Sequence, residues 1–489
     1  MMDMFQKPAI EYLLLLIFTV LSVSVLLLFS GDICYVLIPL LLTLIISLFF
    51  WITLTNRRKE LPIDDPGLLT VLAIVLYTVF PSIQFLLSGM EPTLLSASQL
   101  YTLAPTPEQY GRLTWWYVFY LLSFTAGYLF ADKEKKEILQ PPLFPDRFTV
   151  YKLAIIYVLL SVIMFAIEIV YDIKLYGEYD MVALTESYDA LLQMPLIFRQ
   201  FYGMIGHTGI FFIVKLSILL LLFLYWEKRS YRYALFIWLS FIFISNIIWM
   251  GARTELVLIF ISSVIMYHRF VRELKLKQIL PAGIVLFVVF MVIGVLRGGA
   301  NLESNLQKID FDDTSFELVA SKNTEFQALF AGNYDLLQMK QNGFLTDVPL
   351  QFILYDVIML IPQQVLPFEK MDVQEWITSR SNNPGYFMYN PISQAIVGFG
   401  WVELLVRGVV LGVLLALVRR WYRKRCGSYW ATLFYLYIVV ISYYTIRGTA
   451  LYFLFASTLF RFIPLYFIVK LLPNFSVKLP KLLKSTAKP

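Results

Sequence analysis

Residues 246–260 read NIIWMGARTELVLIF, which sets Arg253 and Glu255 between two apolar runs. A charge at the centre of a bilayer costs about 2.5–3.5 kcal/mol on insertion scales, so such residues belong at a membrane edge, in a cavity or beside a partner. The two runs then become two spans, 233–250 and 254–267, joined by a turn. The second is short, yet removing it would move every later loop to the opposite side of the membrane.

The whole composition supports a membrane reading. Of 489 residues, 59% are hydrophobic, 17% aromatic and only 15% charged, whereas soluble chains carry about 25% charged residues. Apolar stretches near 20 residues recur, which is the length a helix needs to cross hydrocarbon. The expected fold is all-α and polytopic, with about twelve spans. They are placed near 10–29, 33–54, 67–88, 113–131, 153–171, 208–226, 233–250, 254–267, 279–296, 400–418, 429–446 and 449–469. The stretch 10–29 is too long for a signal-peptide core and lacks a convincing small-residue cleavage site, so it reads as the first span. Cys34 and Cys426 flank a span and lie in a basic loop, which argues against a disulfide framework.

The loops alternate in charge. NRRKE, DKEKKE, EKRSYR, HRFVRELKLK, RRWYRKR and the tail from Lys470 hold most of the 40 Lys and Arg. The intervening loops hold SGD, the acidic segment 172–206, the GART turn, the long loop 297–399 and IRGT. The positive-inside rule places both termini in the cytoplasm and the second set outside. The net charge of +6 is thereby a topology signal and not a nucleic-acid one. Three regions follow: spans one to nine in 1–296, an outer loop domain with amphipathic helices in 297–399, and the last three spans with a cytoplasmic tail in 400–489.

Arg253, Arg297 and Arg447 fall at the outer edge, each close to glycine, in GART, LRGG and IRGT. Arginine at a span end commonly snorkels to headgroups. Three on the disfavoured side, at turns where glycine lets the backbone bend, also suit a phosphate-bearing ligand gripped by guanidinium forks. His207 heads span six at the same level, while His268 falls on the cytoplasmic side. Lys215, Arg407 and Arg461 stand inside spans; the first two are close enough to the outer end to snorkel or line a lipid-tail groove, and Arg461 needs an internal partner. In the long loop, Phe326, Leu329, Phe330, Leu336 and Leu337 share helical faces, and VPLQFILYDVIMLIPQQVLPF reads as an amphipathic or re-entrant helix. The acids of KIDFDDT lack the ligand spacing of an EF-hand, so no metal is expected.

GARTELVLIF, LRGG, AGNYDLLQ, IPQQVLPFEK and NPISQAIVGFGWVELLVRG, together with the topology, resemble the oligosaccharide repeat-unit polymerases of the O-antigen polymerase (Wzy) family. The chain departs from the family where Gln363 and Gln364 replace a common arginine and Gln394 a common glutamate. The resemblance implies a GT-C-like fold in the bacterial inner membrane. It implies glycosyl transfer at the periplasmic face, from an undecaprenyl-pyrophosphate-linked oligosaccharide to a second lipid-linked unit, without a cofactor. Arg253, Arg297 and Arg447 would hold the pyrophosphate, and His207, Glu325 or Asp335 would serve as base. Membrane lipids are expected partners, a chain-length-regulating co-polymerase is compatible, and nucleic acid is not expected. An O-antigen ligase shares the donor chemistry and remains an alternative. A flippase or transporter is a second, weakened by the missing internal repeat.

Overall fold

A computed structural model describes residues 31–58, 61–87, 89–90, 105–132, 143–176, 201, 204–206, 209–248, 253–275, 277–279, 281, 283, 324–380 and 389–473. Every regular element among them is helical. Helices α1 (Ile33–Arg58), α2 (Pro66–Leu87) and α3 (Pro107–Ala131) precede α4 (Arg147–Tyr176), α5 (Ile210–Leu224), α6 (Arg229–Ile248) and α7 (Arg253–Phe270). The long-loop region carries α8 (Thr324–Gln341), the single turns α9 (Leu350–Ile353) and α10 (Tyr355–Ile358), then α11 (Val373–Thr378) and α12 (Pro391–Val397). Next come α13 (Trp401–Arg423), α14 (Tyr429–Ile441) and α15 (Ala450–Leu471), the last with a π-helical segment at Ser457–Phe462.

Five helices are long and apolar enough to cross a membrane: α1, α2, Arg147–Ile167 of α4, α13 and α15; α5 is apolar but shorter. The protein is thus a helical membrane protein. Helices α3, α6, α7 and α14 stand at four further positions where the hydropathy pattern places spans. The expected span 10–29, and nearly all of 279–296, lie outside the described residues.

The chain divides into two compact units. In the first, α3 is the central element. Its start is specified locally: Thr106 and Gln109 form a reciprocal capping box, with proline at the first turn. Helix α13 packs closely along α3, because Gly408, Gly412 and Gly127 leave no side chain between the backbones. A Cβ on Gly412 would lie 2.7 Å from the Tyr128 nitrogen, and one on Gly127 2.8 Å from the Val409 Cα. Small residues at helical spacing are how membrane helices reach such contact. Helices α1 and α2 also pack on this bundle. One end is tied by a buried charge cluster: Asp65 pairs with Arg58 (2.5 Å) and accepts from Arg419 (2.7 Å) and the Tyr128 hydroxyl (2.6 Å), and Arg58 also reaches Asp132 (3.2 Å). Two arginines meet two aspartates, so the buried charge balances.

The long-loop helices belong to this unit. Helix α8 buries Phe326, Leu329, Phe330, Leu336 and Leu337, the residues its helical period groups together. The Tyr110 ring stacks between Phe85 of α2 (4.1 Å) and Phe330 of α8 (4.5 Å). Residues 348–368 do not form the single amphipathic helix expected. Pro349 and Pro362 stand at element starts, and the segment breaks into α9, α10 and a 3-10 turn at Gln363–Val365; proline lacks the N–H that a continuing helix needs. The amphipathic pattern survives the break, with Phe352 and Ile358 buried and Leu350, Leu354 and Val357 exposed. The turn into α13 uses Gly400 at φ +72, a conformation side chains rarely adopt.

In the second unit, α5 packs against α4, α6 and α7. Ser217 of α5 and the Tyr429 hydroxyl hydrogen-bond at 2.7 Å, and Trp430 meets Phe462 and Tyr466 edge-on.

Candidate functional site

The seam between the long-loop helices and α3 carries a run of polar contacts. Asn390 caps α12, accepting from the Ile392 and Ser393 amides, as the NPIS sequence encodes. Its Nδ2 donates to Asn333 Oδ1 (3.2 Å), and Asn333 Nδ2 donates to the Tyr117 hydroxyl of α3 (2.8 Å). The next residue, Tyr334, donates to Gln109 Oε1 (3.1 Å), the side chain that also caps α3. Asp335 follows on α8 with 4% exposure. Aspartate is rarely buried to that degree without partners. Burial, then the Asp335 charge, pushes the Tyr334 hydroxyl up to about 12, so it stays protonated and donating at neutral pH. In the run Asn333-Tyr334-Asp335, an amide and a phenol therefore bridge the seam, and a buried carboxylate follows them on α8.

A second cluster gathers on Asp356 of α10. One oxygen accepts from Arg407 of α13 and from Gln394 of α12 (3.3 Å); the other accepts the Tyr452 amide of α15 (2.8 Å). Arg407 also binds Glu403 one turn earlier (2.7 Å) and the Ile353 carbonyl (3.1 Å). Four elements are thus joined through one carboxylate. Gln394, placed where the resembled family commonly has glutamate, donates an N–H here. An ionised glutamate could not, and would add a third carboxylate beside Asp356 and Glu403. Burial raises the nearby Tyr389 hydroxyl well above the ordinary tyrosine range, and it donates to the Phe352 carbonyl (3.0 Å).

The second unit holds a buried ion pair, Lys215 of α5 with Glu255 of α7, with the ammonium 3.9 Å from the Phe211 ring centroid. The sequence places Lys215 inside a span and Glu255 at the turn that opens the 254–267 run. Lys215 is not a snorkelling residue: it is 6% exposed and its charge is met by Glu255 at 1%.

The candidates from the sequence distribute as follows. His207 and Arg297 lie outside the described residues, as do the acids of KIDFDDT. Arg253 begins α7 and Glu325 falls in the first turn of α8, their side chains lying outside what is described. Arg447 is half-buried in the turn before α15, its guanidinium 5.9 Å from the Tyr444 ring centroid. Arg253 and Arg447 fall in different units. Arg461 has the Ser457 hydroxyl at 3.5 Å within its own helix. Sequence reasoning passed over Asn333, Asn390 and the Asp356–Arg407 pair as a unit. An acid within an apolar loop segment and an arginine within a span were each visible; their meeting across 51 residues was not.

Comparison of the chain with protein-family models, curated proteins and solved structures finds no match.

Proposed function

We propose that the protein polymerises lipid-linked oligosaccharide repeat units, in the manner its motifs suggest. The observation that supports this best is Asp335, a buried carboxylate on α8 that acts on the neighbouring Tyr334 hydroxyl. In this reading an acceptor sugar hydroxyl attacks the anomeric carbon of the donor. The bond from that carbon to the pyrophosphate oxygen breaks, undecaprenyl pyrophosphate leaves with the electron pair, and the hydroxyl proton passes to Asp335. Proton transfer of this kind contributes about 10²–10⁴-fold. Glu325 and His207 remain the other bases of the proposal. Arginine at an outer span end, Arg447 with Arg297 in the first unit, holds the departing pyrophosphate, whose charge grows as the bond breaks. The finer architecture belongs to the same reading: about twelve spans in a GT-C-like arrangement in the bacterial inner membrane, both termini cytoplasmic, and α8–α12 periplasmic.

The test is complementation in a strain lacking its own copy. Asp335→Asn should abolish chain elongation, leaving single-unit glycans, while the purified variant melts as the wild type does. Asp335→Glu should retain partial elongation, because the proton acceptor is kept. Full elongation by Asp335→Asn removes Asp335 as the base. A null strain with unaltered glycan chain length removes the polymerase reading itself.

A further inference from the structure

Beside the Asp356 cluster, the first unit carries a groove of about 370 Å³, within the usual range for small-molecule sites. One wall is Val402, Val406 and Val410, successive positions four apart on α13; the other includes Leu354 and Val357 of the broken segment, with Phe399 also lining it. The three valines are 69%, 55% and 37% exposed. On a helix apolar enough to span a membrane, such an exposed apolar face suits hydrocarbon. The valine wall runs about 12 Å along the helix at 1.5 Å per residue. That approaches one leaflet's share, about 15 Å, of the hydrocarbon core.

We propose that this groove seats an acyl chain of a bilayer phospholipid. Two features select that occupant. Leu354, Val357 and Phe399 are also largely exposed, so an aliphatic chain meets apolar side chains on both walls of the slot, with Asp356, Glu403 and Arg407 among the remaining lining. The charged groups beneath are Arg407 set between Asp356 and Glu403, one cation for two anions. That excess of negative charge repels the pyrophosphate of a lipid carrier placed over it, but does not oppose an uncharged chain whose zwitterionic head lies at the interface. The inference is independent of the glycosyl-transfer reading.

The test uses the full-length protein in native membranes. A benzoylphenylalanine replaces Phe399, in the turn before α13, and a control replaces Leu405, which is 41% exposed on α13 and does not line the groove. After irradiation and purification, mass spectrometry should find phospholipid adducts severalfold more abundant at position 399. In parallel, Val406→Trp, which fills the slot from a lipid-facing position, should lower phospholipid retained through detergent washing. Equal adducts at both positions would reduce the groove to ordinary lipid contact and overturn the proposal. Adducts chiefly with a polyprenyl phosphate would overturn it in favour of the carrier. Should Val406→Trp fail to fold, the crosslinking comparison still decides.

Discussion

Tyr334 carries a pH signature that separates the seam from a solvated loop. Burial and Asp335 hold its proton to about 12, against about 10 in an unfolded chain. Between those values the folded state binds more protons than the unfolded one, so stability falls as pH rises. The contribution is fully present below pH 10 and lost through pH 12. Tyr334→Phe should flatten that part of the stability curve, measured by thermal melting of the detergent-solubilised protein across pH 9 to 12. An unchanged curve would mean the phenol does not depend on the seam. The same logic of partners applies to Glu255. Its role was unreadable from its own neighbours in sequence, and Lys215, 40 residues away, supplies it.

At the level of elements, the α3–α13 contact is the one most exposed to a single change. Gly412→Val must push side-chain carbons into the α3 backbone near Phe124 and Tyr128. Overpacking of this kind costs about 1–3 kcal/mol. A lowered melting temperature is expected, whereas Gly427→Ala, whose Cβ would meet nothing within 4 Å, should melt as the wild type does. The buried cluster where α2 starts and α3 ends, one residue of which is Tyr128 itself, should be less forgiving. Asp65→Asn removes the carboxylate shared by Arg58 and Arg419, and stranding buried charge costs about 3–5 kcal/mol. Loss of folded protein on size-exclusion chromatography is the expected result; a monodisperse, wild-type-like peak would show the arginines reach water.

For the whole molecule, orientation is the property to test, since the proposed chemistry depends on which side α8–α12 face. With Cys34 and Cys426 replaced, single cysteines at Ser304 and Thr378 should react with an impermeant thiol reagent from the periplasm. One at Trp421 should not. Labelling of Trp421→Cys from outside would reverse the orientation and remove the periplasmic site.

Much of the helical architecture was legible because hydropathy acts locally: a run of apolar residues must leave water wherever it folds. Described helices stand at ten of the twelve expected span positions for that reason, and α8 buries the face its period predicts. The caps at Thr106 and Asn390 are local too, formed by T-P-x-Q and N-P-x-S, but they stood out only once the helices were placed. Pairing was not legible. Lys215 with Glu255, Arg407 with Asp356, and Asp65 with Arg419 join residues 40 to 354 apart. Nothing in either partner's neighbourhood specifies the other, because a charge in a low-dielectric interior is satisfied by whatever opposite charge the packing brings to it. Composition alone placed the chain in a membrane; only the tertiary structure decided which of its buried charges are neutralised, and by what.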